Sequence, residues 1–253
     1  MREPRTILIT GASSGIGAAL ARAYANAGVF LALSGRNPGR LSQVAEACRL
    51  LGASVSFERI DVTDANALAD WIIGVDRAHP LDLVIANAGI SAGTGGGAET
   101  PDQARRIRAV NVEGVVDTVS PVLPAMIERG RGQIALMSSL AGFRGFPGAP
   151  TYCASKAFVR VWGEALRAEL APLGVGVCVV CPGFVASPMT TVNRFHMPLL
   201  MPADRAARII VRGLAANRPR IAFPWRMYLA VRLAAALPAR LVDPLFVRLP
   251  RKA

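Results

Sequence analysis

The chain is predicted to fold as an α/β domain, a doubly wound parallel sheet of about seven strands with helices on both faces. Two observations carry this expectation. Short apolar runs alternate with longer alanine-rich amphipathic stretches from residue 5 to about 224, the pattern of a parallel sheet whose strands are joined by crossover helices. Several of those runs are apolar at consecutive positions, as required of strands covered on both faces.

Taken in order, strands are expected at Thr6–Thr10, Val29–Ser34, Val55–Ile60, Leu83–Ala86, Gln133–Ser138, Val175–Cys181 and Arg220–Phe223. Helices fall between them at about 15–28, 38–51, 64–77, 100–129, 151–171 and 203–216. No internal repeat or linker interrupts this pattern, so residues 1–224 read as one domain. Residues 225–253 differ. Trp225 to Leu237 is apolar with arginines at 226 and 232, and Pro238, Pro244 and Pro250 divide the remainder into short pieces. This basic, apolar extension either belongs to the same domain or contacts something outside it.

At 253 residues, 52% apolar and 18% charged, the chain has material for a full core and is not disordered. No targeting pattern or apolar span of membrane length is read, so a cytoplasmic location is the expectation. The net charge is +12. Residues 204–253 hold ten arginines and one lysine against Asp204 and Asp243, so most of the excess lies at the end of the chain. Three readings of that tail stay open: docking on an anionic membrane surface, packing across an oligomer interface, or a lid over a pocket. Nucleic acid is disfavoured, because the basic residues are interleaved with aliphatics. Cys178 and Cys181 have redox spacing but sit in a strand-like run, where residues three apart face opposite ways; they read as packing cysteines. Two histidines 117 residues apart suggest no metal site.

The segment Thr10-Gly11-Ala12-Ser13-Ser14-Gly15-Ile16-Gly17 follows the first strand and opens the first helix. Glycines there permit a tight turn, so that backbone N–H groups and the helix N-terminus can approach a pyrophosphate. The second strand ends Ser34-Gly35-Arg36, where an NAD site would normally carry an acidic residue for the ribose hydroxyls. The missing acid and the guanidinium of Arg36, which can pair bidentately with a 2′-phosphate, point to NADP(H).

Of the 29 basic residues only Lys156 and Lys252 are lysines, and Lys156 stands four residues after Tyr152. On a helix that spacing puts phenol and ammonium on one face. A free phenol titrates near 10, and a nearby ammonium is expected to lower it toward the working range. Tyr152 could then exchange a proton with a substrate oxygen, with Ser139 hydrogen-bonding the same oxygen.

With these motifs in order, the sequence resembles a short-chain dehydrogenase/reductase over residues 5 to about 224. Thr10–Gly17 matches the family's glycine motif, Asp61-Val62 its adenine-side motif and Asn87-Ala88-Gly89 its fourth-strand motif. Asn111 matches the helix asparagine, and Ser139, thirteen residues before Tyr152, completes the Ser/Tyr/Lys set. Pro182-Gly183 matches the stretch before the nicotinamide contacts. The resemblance implies a Rossmann-type fold and oxidoreduction between a carbonyl and an alcohol with a nicotinamide cofactor. It implies that Lys156 also holds the nicotinamide ribose, that Asn111 positions a proton-relaying water, and that Val185 and Ser187 contact the nicotinamide end. A homodimer or homotetramer is implied by the resemblance alone.

Substrate walls are expected at Ile90–Gly97, Leu140–Pro147 and Pro188–Pro202. The last supplies Met189, Phe195, His196, Met197, Leu199, Leu200 and Met201, a composition suited to a hydrophobic, lipid-like substrate. A polar sugar, an acyl thioester, or a cofactor-binding membrane scaffold are the alternatives.

Overall fold

A computed structural model describes residues 3–91, 98–193 and 195–247. Seven strands form one parallel sheet in the order β3-β2-β1-β4-β5-β6-β7: β1 (Thr6–Ile9), β2 (Phe30–Ser34), β3 (Ser54–Glu58), β4 (Leu83–Ala86), β5 (Gly132–Met137), β6 (Val175–Pro182) and β7 (Arg220–Phe223). The sequence runs predicted all seven. β4 and β5 are buried at every position, which accounts for the unbroken apolar run of β4 and of Ile134–Met137, while the buried Gln133 of β5 donates to the Leu214 carbonyl at 2.9 Å.

Alternating strand residues build two layers. Ile7, Ile9, Leu31, Leu33, Ile85 and Val180 pack against α1 (Gly15–Tyr24), α2 (Pro38–Leu50) and, further along the chain, Ala203–Ala215. Leu8, Ala32, Val84, Ile134 and Leu136 face the opposite way, onto α3 (Ala65–Ala78) and the helices that follow β4 and β5. Cys178 lies in the first layer and Cys181 in the second, and burial pushes both thiols up, Cys181 to about 12. They pack; they are not poised for redox chemistry.

The long helix expected over 100–129 is segmented. α4 (Pro101–Arg108) runs into a widened π turn at Ala109–Glu113, then α5 (Gly114–Val119), a break before Pro121, and α6 (Leu123–Glu128). This 28-residue helical run has the length and mean hydropathy of a membrane span, yet Ile107, Val115, Val119 and Met126 are core residues.

After β5 comes a short 3-10 turn (Leu140–Gly142) and then α7 (Pro150–Leu170). α7 lies very close to the sheet at Gly163, where a Cβ would stand 2.6 Å from Leu136 and 2.7 Å from Val179. Gly142 meets the backbone of Lys156 just as closely, and Ser138 Oγ donates 2.7 Å to the Lys156 carbonyl. The contacts of Gly142 and Ser138 with Lys156 fix the first two turns of α7 over the carboxyl end of β5. α8 (Pro188–Thr191), α9 (Ala203–Ala215), α10 (Trp225–Ala236) and α11 (Ala239–Phe246) complete the fold. Among the described residues the tail is thus two short helices parted at Pro238, and Pro244, expected to divide it further, lies within the second.

Candidate active site

The loops beyond the carboxyl ends of β1, β4, β5 and β6 surround one cleft of about 1430 Å³. At its floor, Gly11 and Gly15 adopt left-handed backbone conformations, φ 67° and 55°. A Cβ at Gly17 would collide with the Gly11 carbonyl and come within 2.6 Å of Asn87 Nδ2. Asn87 Nδ2 donates to the carbonyls of Thr10 (3.0 Å) and Gly11 (3.1 Å), tying β4 to the glycine turn. Ser14 precedes α1 without a side-chain cap, and the first turn of α1 carries no acid. Its N–H groups therefore remain available to an anion. Cradle and dipole fit a pyrophosphate.

Gly11, Ser13, Ser14, Gly15 and Ile16 line the cleft, as do Arg36, Asp61, Val62, Asn87, Ala88 and Gly89. On the far side lie Pro182, Gly183, Val185 and Ser187, with Ser187 so near that a Cβ on Gly15 would touch it at 3.0 Å. Gly17 does not line the cleft; it supports the turn from behind.

Ser139, Tyr152 and Lys156 converge on the cleft wall. Burial pushes the Tyr152 phenol up, and a hydrogen bond with Ser139 partly offsets this. That is opposite to the expected direction: the protein's own groups hold the phenol protonated, because removal from water outweighs the help it receives. The Lys156 ammonium, 3% exposed, lies 5.9 Å from the Tyr152 ring centre and donates 2.9 Å to the Met137 carbonyl. Burial lowers it to about 8.

Asn111 is not on the cleft surface. Fully buried in the π turn, it accepts from the Ile90 N–H (2.8 Å) and donates to the Ile90 carbonyl (2.9 Å) and Ser155 Oγ (3.1 Å). The extra residue in that turn aims the amide at α7 and the strand-β4 loop together.

Several lining residues lie outside the sequence expectation. Arg40, one turn into α2, shares the wall of Arg36. Met227, Ala230 and Val231 bring α10 into the pocket, so one face of the tail acts as a wall of the cleft. The expected 188–202 wall is only partly right. Met189, Phe195, His196 and Pro198 line the cleft, but Met201 is core, bridged to Val185, and Leu199 and Leu200 face solvent. Of Ile90–Gly97, positions 92–97 lie outside the described residues.

The sequence pattern of the family described as short chain dehydrogenase matches residues 5–197. The chain belongs to the short-chain dehydrogenase family. Over 240 residues this dehydrogenase is 40% identical to an uncharacterized oxidoreductase of Myxococcus xanthus, covering 94% of this chain and 95% of that one. A short-chain dehydrogenase from Sphingobium yanoikuyae, solved with NADPH, superimposes with a TM-score of 0.81 at 27% identity over 97% of this chain and 96% of that one. One from Mycobacterium paratuberculosis, bound to NAD, gives 0.76 at 27% identity, covering 86% and 94%. The protein is an oxidoreductase of this family.

Proposed function

We propose that this dehydrogenase uses NADPH to reduce the carbonyl of a hydrophobic, lipid-like substrate, and oxidises the matching secondary alcohol in reverse. The observation that carries this reading is the convergence of the half-buried Tyr152, Ser139 and the Lys156 ammonium, 5.9 Å from the Tyr152 ring centre, on the wall of a largely apolar cleft.

When bound, NADPH supplies hydride to the carbonyl carbon. Gly11 to Ile16 and the start of α1 would hold its pyrophosphate, and Asp61, Val62, Asn87, Ala88 and Gly89 its adenosine side. Pro182, Gly183, Val185 and Ser187 would line its nicotinamide end. Tyr152 gives its proton to the carbonyl oxygen as negative charge grows there, and Ser139 hydrogen-bonds the same oxygen. The protonated phenol is the form from which reduction starts, and the reverse reaction uses the same groups with Tyr152 as base. Lys156 has three ammonium donors, of which Met137 takes one; the others serve the nicotinamide ribose and stabilise the phenolate left after proton transfer. Asn111 acts as a positioning residue, holding the Ile90 backbone and α7 in register.

For the cofactor, local charge supports NADPH. A Cβ at Gly35 would stand 3.1 Å from Ser13 Oγ, so an acid there would crowd the turn, while Arg36 and Arg40 face the same wall. The efficiency with NADPH is expected to exceed that with NADH. Arg36→Glu should lower the NADPH value by about ten- to a hundredfold, the loss of a charge-assisted hydrogen bond worth about 1.5–3 kcal/mol. Steady-state kinetics with both cofactors check this, and a wild-type preference for NADH would overturn it.

The substrate end of the cleft is framed by Phe146, Phe184, Met189, Phe195, Met227 and Val231, with Asn193 and His196 as polar points. This lining supports a greasy substrate over a sugar.

A further inference from the structure

α10 has two faces with different company. Its inner face is anchored. Met227 and Val231 line the cleft, the Tyr228 ring meets Phe143 at 5.5 Å, and the Tyr228 hydroxyl accepts from Arg220 at 3.1 Å. α11 is fastened beside it by an Arg144–Asp243 ion pair at 2.9 Å and a Phe146–Phe246 stack at 5.1 Å. The outer face is apolar and bare: Trp225, Leu229 and Leu233 are 66%, 51% and 59% exposed.

At about 100° per residue, Trp225, Ala236, Leu229 and Leu233 fall within an arc of about 80°, with Arg232 about 20° outside one edge and Arg226 about 20° outside the other. A strip of tryptophan and leucine bordered on both sides by guanidinium groups is the pattern of a helix lying in a lipid interface, apolar side chains inserted and arginines at phosphate depth. Leu237, between α10 and α11, and Leu241, within α11, are also exposed. From Trp225 to the end, six basic residues stand against one acid, Asp243, which Arg144 already engages.

From these observations we infer that the outer face of α10 docks the protein on an anionic lipid surface. Charge argues against a second copy as the occupant. Two such faces brought together about a two-fold axis would set Arg226 and Arg232 against arginines, with no free carboxylate on either side. An anionic headgroup layer matches the same charges. Because the opposite face of α10 walls the cleft, docking would place the substrate end beside the bilayer. The inference concerns surface binding and does not depend on the cofactor or reaction assigned above.

The test is co-sedimentation of the full chain with vesicles of phosphatidylcholine alone and of phosphatidylcholine containing one third phosphatidylglycerol. Binding to the anionic vesicles is expected to be about tenfold or more tighter and to weaken as salt is raised. Replacing Trp225, Leu229 and Leu233 together by serine should abolish binding to both. Arg226→Gln with Arg232→Gln should remove only the anionic preference. None of these residues lines the cleft, so NADPH affinity and thermal unfolding serve as folding controls. Equal binding to the two vesicle types at low salt would overturn the inference. So would a concentration-dependent dimer in sedimentation equilibrium that the triple serine variant dissolves, since a second copy would then cover the strip.

Discussion

Tyr152→Phe is expected to lower kcat for carbonyl reduction by at least about a thousandfold while leaving the Kd for NADPH within about twofold. The ring stays, so the packing around the start of α7 is kept and only the hydroxyl is lost. Removing it takes away the proton donor, while Ser139 keeps its contacts with the Pro182 carbonyl and the Ala141 N–H. Because the chemistry fails while binding survives, the loss should appear in kcat and kcat/KM together. Stopped-flow or steady-state NADPH oxidation, paired with fluorescence titration of cofactor binding, checks both halves. A variant that keeps a tenth or more of its kcat would remove Tyr152 from proton transfer.

The second large effect is expected from Lys156→Arg. The ammonium sits in a tight place. A Cβ built on Gly89 would lie 3.3 Å from Nζ, Gly142 presses on the Lys156 backbone, and Ser138 holds its carbonyl. A planar guanidinium is bulkier and directs its donors differently, so it cannot take up the Met137 carbonyl, the ribose and the phenol from the same point. Overfilling this site should cost about 1–3 kcal/mol of stability. In activity, kcat/KM should fall about a hundredfold or more, a loss near that of a displaced catalytic hydrogen-bond donor. Urea unfolding and NADPH kinetics measured on one preparation separate the two effects. Near-full activity would mean that positive charge alone suffices and that the compactness of lysine is incidental. The choice of lysine in a chain otherwise written in arginine would then need another cause.

What could be read from the sequence depended on how local the determining physics is. Strand positions were legible because a strand buried on both faces favours consecutive apolar residues, as β4 and Ile134–Met137 of β5 show. The glycine turn was legible because φ near 60° at Gly11 and Gly15 favours residues without a Cβ. The π turn around Asn111 was not. It arises from one extra residue within an otherwise regular helical pattern, and only the packing of α4 and α5 against α7 and the sheet selects it. Nor was the split of the 188–202 loop: Met201 and Met189 are alike in sequence, yet the Val185–Met201 bridge takes one into the core and leaves the other on the cleft. The direction of the Tyr152 shift escapes the sequence for a related reason. The i, i+4 spacing shows that an ammonium is near, but the desolvation of both groups by the surrounding elements is a property of the whole fold, and here it dominates. The tail was half legible. Its arginines and leucines make no clean stripe until one face of α10 is assigned to the cleft, and the remaining face then resolves into a strip with two basic borders.

In the proposed reaction this cleft moves hydride between a nicotinamide and a carbonyl carbon, with Tyr152 supplying the proton. The most direct measurement uses NADPH carrying deuterium at its transferable nicotinamide position, a hydrophobic ketone such as a long-chain or cyclic one, and mass spectrometry of the alcohol formed. One deuterium is expected on the carbinol carbon for each NADPH consumed, on a single face of the product, with at most about a thousandth of that turnover for Tyr152→Phe. NADPH that binds tightly yet is not consumed with any carbonyl offered, or product formed without the label, would contradict it.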